Sequence, residues 1–153
     1  MIRRLELSDP DMVEQIWHLQ HAAYRLEAAA IGLRHTPELP DTFESIAAST
    51  DLFFGWITDE NEVRAAITIG QDDPKVIAIH RLMIHPEHLR QGFGKAMVRY
   101  IIQAYPNANC FVVYAGVRNA PAIRLYESLG FVAKETYKAA LGIELIRMSR
   151  QNE

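Results

Sequence analysis

Two glycines two residues apart, Gly92 and Gly94, stand between an apolar run and a helical pattern, with Arg90 and Lys95 on either side. Glycine at a helix start lets a ligand come close to backbone N–H groups. Those groups and the positive end of the helix dipole attract phosphate. The flanking cations carry the matching sign, so Arg90, Gln91, Gly92, Phe93, Gly94 and Lys95 form a candidate anion cradle. Spacing excludes two familiar phosphate loops. A G-x-G-x-x-G fingerprint would need glycine where Met97 stands; a P-loop would need glycine at Leu89 and a hydroxyl at Ala96. His80 lies in the preceding apolar run, and an unperturbed imidazole suits proton transfer near neutral pH. His85 and His88 flank the connector; with no third ligand at sensible spacing, no metal site is expected. Cys110 is the only cysteine, which excludes an internal disulfide, and it reads as a buried strand residue rather than a nucleophile.

These residues need elements to hold them. Ile77, Ala78, Ile79, Leu82, Met83 and Ile84 make a largely apolar run of strand length, ended by Pro86. On that strand His80 should share a face with Ala78, and Arg81 should point the other way. After the glycines, Phe93, Met97, Tyr100, Ile101 and Ala104 recur at helical spacing until Pro106. Upstream, Leu5 and Leu7 suggest a short first strand. Asp9 then caps a helix that starts at Pro10, shows Val13, Ile16, Trp17 and Tyr24 on one face and extends to about Ala30. Gly32 ends it, and Pro37 and Pro40 hold a loop. Asp41, with Glu44 three residues on, should cap a short helix that buries Phe43 and Ile46. Leu52 to Ile57 and Val63 to Ile69 read as strands joined by Thr58-Asp59-Glu60-Asn61, with a turn at Asp72-Asp73-Pro74. Downstream follow a strand from Cys110 to about Ala115, a helix after Asn119 ending at Gly130, and closing strands at 131–137 and 143–148. The boundaries of the link Ala139-Ala140-Leu141-Gly142, which is short on turn residues, are the least defined.

The run Leu89-Arg90-Gln91-Gly92-Phe93-Gly94, after a strand exit Ile84-His85-Pro86, resembles motif A of the GNAT superfamily of acyl-CoA-dependent N-acyltransferases, R/Q-x-x-G-x-G/A. Leu89 departs from it, where the family usually has arginine or glutamine; a side-chain contact is lost but no backbone donor. Asn119-Ala120-Pro121-Ala122-Ile123-Arg124-Leu125-Tyr126-Glu127-Ser128-Leu129-Gly130-Phe131 resembles motif B, N-x-x-A-x-x-L-Y-x-x-x-G-F, with every named position filled. Both blocks in this order are far more specific than either alone. The resemblance covers the chain from about Val63 onward.

It implies a mixed α/β (α+β) fold of the GNAT type, a mostly antiparallel twisted sheet of about six to seven strands flanked by about four helices. The domain assignment is one acyltransferase domain over residues 1–153. The activity implied is acetyl-CoA-dependent N-acetyltransfer to a primary amine of a small molecule or peptide, the amine attacking the thioester directly. That step needs a neutral amine, a donor for the developing oxyanion and an acid for the departing thiolate. By the family pattern, the backbone of Leu82, Met83 and Ile84 holds the pantetheine arm, and the N–H groups from Arg90 through Lys95 hold the pyrophosphate. Asn119 matches the asparagine that contacts the pantetheine arm, and Tyr126 the tyrosine that can protonate the thiol. Some relatives carry a glutamate base on the central strand, but Ala78 stands there, leaving His80, a structural histidine or a water relay open. The acceptor wall implied lies between Glu27 and Glu44, where Glu27, Glu38, Asp41 and Glu44 could attract a cation and Tyr24, Phe43 and Trp56 line a slot. Two rival readings are an acyl-CoA sensor with little turnover and a purely structural domain with a vestigial cradle. Many relatives dimerise through their last strands, so the resemblance admits a homodimer.

The chain of 153 residues and 17.4 kDa is long enough for a sizeable core, with 49% hydrophobic and 23% charged residues. A net charge of −3 and a pI near 6.1 give no reason to expect nucleic acid as a partner. No apolar run reaches membrane-spanning length, and Met1-Ile2-Arg3-Arg4 leads into acidic residues rather than a secretory core, so no membrane partner is expected and the cytoplasm is the default compartment.

Overall fold

Alternating apolar strands and two short turns build a single seven-stranded sheet. The computed structural model describes residues 1–30, 42–138 and 143–152. Its strands are β1 (Ile2–Arg4), β2 (Leu52–Ile57), β3 (Val63–Asp73), β4 (Val76–Ile84), β5 (Cys110–Gly116), β6 (Val132–Lys138) and β7 (Glu144–Gln151). Its helices are α1 (Pro10–Ala30), α2 (Phe43–Ala47), α3 (Phe93–Ala104) and α4 (Ala120–Ser128). The spatial order is β1-β2-β3-β4-β5-β7-β6, antiparallel throughout except for β4 beside β5. This is the mostly antiparallel mixed sheet with four helices that the resemblance implies.

Two cores form, one on each face of the sheet. Ile67, Ile69, Ile77, Ile79, Phe111, Val113 and Met148 point toward α3 and α4, which supply Met97, Val98, Ile101 and Tyr126. Phe53, Ile57, Ala66 and Met83 point the other way, toward Met12, Val13, Ile16 and Leu19 of α1 and Ile46 of α2. Burying apolar area on both faces, at about 25 cal/mol per Å², is what holds the sheet between its two helical layers.

Several local expectations need correction. β1 precedes Leu5 rather than containing it; the Leu5 N–H bonds the Phe53 carbonyl at 2.8 Å, and its side chain enters the α1 core. Asp9 does cap α1, its Oδ1 accepting the Asp11 N–H at 3.0 Å. The cap of α2 is Thr42, paired reciprocally with Ser45, in place of the expected Asp41 and Glu44. Phe43 is 38% exposed, not buried, whereas Ile46 is buried as expected. β3 runs on to Asp73, opposite Val76, so the turn narrows to Pro74-Lys75. Asp41, Gly32, Pro37, Pro40 and the 139–142 link lie outside the described residues. No helix among the described residues is long and apolar enough to cross a membrane.

Candidate active site

The central feature is where β4 and β5 part. Their parallel ladder runs from Val76↔Cys110 to Ile79↔Val113 and stops, although β4 continues to Ile84 and β5 to Gly116. Beyond that point the backbone of Leu82, Met83 and Ile84 pairs with β3 on one side and opens onto a gap on the other. Strand groups facing such a gap are donors and acceptors in search of a partner. α3 and α4 each begin just after one of the two parted strands. Their N-terminal dipoles therefore meet at the same end of the sheet.

The loop into α3 is held in an unusual backbone path. Arg90 has φ 63°, Gly92 has φ 82°, and Gly92 is the N-cap with no side chain closing the first turn. A Cβ on Gly92 would meet nothing within 4 Å, so the space above the uncapped N–H groups is open. A Cβ on Gly94 would stand 3.0 Å from Ile84 and 3.2 Å from Leu125. The two glycines thus do different work: Gly92 permits the left-handed turn and leaves room for a ligand, while Gly94 draws α3 tight against β4 and α4. Arg90 is exposed and Lys95 half-buried on this loop. Gln91 reaches back to the Glu87 carbonyl at 3.4 Å, and Phe93 packs edge-on against Trp56 at 5.2 Å. Leu89 is 39% exposed beside them.

Asn119 caps α4, its Oδ1 accepting the Ala122 N–H at 3.3 Å, which leaves the amide Nδ2 facing away from that bond. Tyr126 is buried on α4, edge-on to Phe131 at 5.5 Å, in the core shared with α3.

His80 is where strand alternation fails. Thr68 pairs with Arg81 and Ile69 with Ile79, so His80 is the extra residue of a β-bulge. Before the bulge Ile77 and Ile79 face α3; after it Leu82 and Ile84 do, and Met83 faces α1. Arg81, opposite Thr68, therefore lies on the same face as His80 and not on the opposite one. The His80 ring leans across Gly70 of β3, where a Cβ would stand 2.6 Å from its Cε1. Its Nδ1 lies 2.9 Å from Asp51 Oδ2, with 42% of the His80 side chain and 17% of the Asp51 side chain exposed. His80 and Tyr126 are thus on opposite faces of the sheet, on either side of the β4–β5 gap.

Two further expectations change. Glu87 joins His85 and His88 in a cluster whose ligand atoms lie within 4.8 Å of one another, so a third potential ligand does exist. His85 Nδ1 already accepts the Glu87 N–H at 3.2 Å, which puts the neutral ring's proton on Nε2, the atom an ion would need. Trp56 belongs to the α3 face, beside the glycine loop, and does not line a slot under α1. Of the other expected acceptor-wall residues, Glu44 is exposed and Tyr24 half-buried; Glu38 and Asp41 lie outside the described residues, as does the side chain of Glu27. Asp51 and Gly70 escaped sequence reasoning. A glycine inside an apolar strand does mark a bulge or a close approach, but nothing links Asp51 to a residue 29 positions away.

The comparisons with known proteins agree with this geometry. The family model described as Acetyltransferase (GNAT) family matches residues 13–131. The chain is 30% identical over 145 residues to UPF0157 protein YqkA of Bacillus subtilis, covering 95% of this chain but 42% of that longer protein. It is 32% identical over 112 residues to the [Ribosomal protein bS18]-alanine N-acetyltransferase of Escherichia coli, covering 72% of each. The crystal structure of the E. coli ribosomal-protein-S18-alanine N-acetyltransferase superposes with a TM-score of 0.76 at 20% identity, covering 100% of this chain and 94% of that one. That of smu.2055 from Streptococcus mutans gives 0.78 at 15% identity, covering 100% and 99%. With motif, parted strands and family match in agreement, the chain belongs to the GNAT family of N-acetyltransferases.

Proposed function

We propose that this protein transfers the acetyl group of acetyl-CoA to a primary amine of a small molecule or a peptide. The observation that carries this reading is the convergence of the uncapped α3 N-terminus and the parted β4–β5 strands at one end of the sheet. An open, positively flanked helix start suits a pyrophosphate, and the unpaired β4 edge suits an extended amide-bearing chain laid along it. The N–H groups from Arg90 to Lys95 hold the pyrophosphate. The Leu82–Ile84 backbone and the Asn119 amide hold the pantetheine arm. Tyr126 gives its phenolic proton to the departing thiolate, and His80 takes a proton from the incoming ammonium at Nε2.

The protons balance. One leaves the ammonium for His80 and then solvent. The other is shed by nitrogen as the C–N bond forms and the C–S bond breaks, offsetting the one the thiolate takes from Tyr126. The sequence relative that acetylates an alanine of a ribosomal protein makes a peptide α-amine the first acceptor to try. The test is thiol release from acetyl-CoA with peptides beginning in alanine, polyamines, amino acids and aminoglycosides, alongside thermal stabilisation by CoA. Turnover with one of these classes names the acceptor. Stabilisation without turnover supports an acyl-CoA sensor instead, and the absence of both refutes the cradle. Tyr126→Phe keeps the ring packed on Phe131, so it should lower turnover about tenfold or more while leaving CoA affinity intact. Unchanged turnover removes Tyr126 as the acid.

A further inference from the structure

We infer that Asp51 is a positioning residue for acetyl transfer, fixing His80 with its proton on Nδ1 so that the Nε2 lone pair faces the incoming amine. The inference rests on His80 being the proton acceptor proposed above, and it adds a residue no sequence motif contains. Three observations carry it. The Asp51 carboxylate stands 2.9 Å from His80 Nδ1, within the range of a charge-assisted hydrogen bond. A carboxylate can only accept, so a neutral His80 must place its proton on Nδ1, leaving Nε2 unprotonated.

The surrounding backbone is shaped to permit that contact. Asp51 immediately precedes Leu52, the partner of Ile69, and so sits level with Gly70 on β3. His80, two strands away on β4, reaches it only because the bulge adds a residue there and because Gly70 has no side chain in the path. Asp51 is itself held, its N–H donating to Ser49 Oγ at 3.2 Å. A mobile surface pair would need none of these arrangements.

The position is also right for chemistry. His80 is the first β4 residue past the last β4–β5 pair, at the mouth of the gap. The orienting acid and the ring lie on the α1 and α2 face, and the ring keeps 42% of its side chain exposed for an amine to reach.

The test compares the parent protein with Asp51→Ala, His80→Ala and the double variant. Imidazole nitrogen NMR of isotope-labelled protein reads the His80 tautomer directly. The expected result is an Nδ1–H ring in the parent and an Nε2–H ring in Asp51→Ala. Turnover should fall about tenfold to a hundredfold in Asp51→Ala, with the KM for acetyl-CoA unchanged. In the His80→Ala background the Asp51 change should add no more than about twofold, because Asp51 acts only through the ring. A parent ring already protonated on Nε2, or a loss that multiplies undiminished in the double variant, overturns the inference. If no amine is ever acetylated while CoA still binds, the transferase reading fails by itself, and the tautomer still decides whether Asp51 sets the ring.

Discussion

Replacing Gly70 with alanine should separate activity from stability. The new Cβ would lie 2.6 Å from His80 Cε1 and 3.3 Å from both ring nitrogens, where ordinary contact begins at 3.4 Å. The ring must therefore retreat by about 0.8 Å, the gap between those two distances. That retreat displaces Nδ1 from the position in which it stands 2.9 Å from Asp51 Oδ2, and so weakens the hydrogen bond and turns the ring. Weakening one partly exposed hydrogen bond costs about 0.5–1.5 kcal/mol at most. Alanine in a strand recovers about 0.5–1 kcal/mol relative to glycine. The two offset, and the melting temperature should scarcely move. Catalysis has no such compensation, because a displacement near 1 Å at a reacting group can cost about a hundredfold. The assay is thiol release at saturating acetyl-CoA, with CoA affinity and thermal unfolding measured on the same preparation. Parental turnover in Gly70→Ala, with the fold intact, would refute the claim that the ring must sit where Gly70 lets it.

Three other perturbations follow from the same geometry. Gly92→Ala forces a side chain into φ 82°, at a stability cost of about 1–2 kcal/mol, and points its methyl into the open space over the α3 N-terminus; calorimetry should show weaker CoA binding, and undiminished affinity would remove this loop from the pyrophosphate site. Thr68 is fully buried with no partner for its hydroxyl among the described residues, so Thr68→Val should leave stability unchanged or raise it by about 1 kcal/mol in denaturant unfolding, whereas a clear loss would mean that the hydroxyl is satisfied. On the exposed edge strand β6, hydrogen bonds from Tyr137 and then Arg147 hold the Glu135 carboxyl below the usual carboxylate range. A depressed carboxylate stabilises the fold above its unfolded pKa and stops doing so as pH falls through its folded value. Any deficit of Glu135→Gln in melting temperature should accordingly appear at neutral pH and low salt and vanish on strong acidification; a deficit that persists in acid would show that its cause is not the charge.

What could be read from sequence was what one segment encodes within itself. β2 starts and stops where its apolar run does, and α3 lies where Phe93, Met97 and Ile101 recur. Asn119 caps α4 because a side-chain acceptor three residues before an unpaired N–H is a local arrangement. Errors arose where the answer lay on another strand. The α2 cap is the exception, decided within one segment by the reciprocal pair of Thr42 and Ser45. The side on which Trp56 packs is not legible in β2 alone, because only pairing with β3, and the packing of α3 above it, fixes which side alternate residues of β2 face. The bulge at His80 is of the same kind. A single strand reads as strict alternation, and an extra residue is visible only against the register of its neighbour.

That bulge links the two halves of the proposed chemistry. The acid candidate Tyr126 belongs to the α3 and α4 face, and the base candidate His80 to the α1 and α2 face, so a closed sheet would keep them apart. The extra residue enters β4 directly after Ile79, where the ladder to β5 ends. Inserting it turns the strand, because bulges increase local twist, and an increased twist carries the following residues away from a parallel partner. One residue thereby does two things: it swings an imidazole toward Asp51, and it opens the sheet where the proposed thioester would lie, so that the site is reachable from both faces. Restoring regular pairing by deleting His80 should therefore lose CoA affinity as well as turnover, whereas His80→Ala keeps the bulge and should lose turnover alone. Equal CoA affinity in the two variants would break the link between bulge and gap.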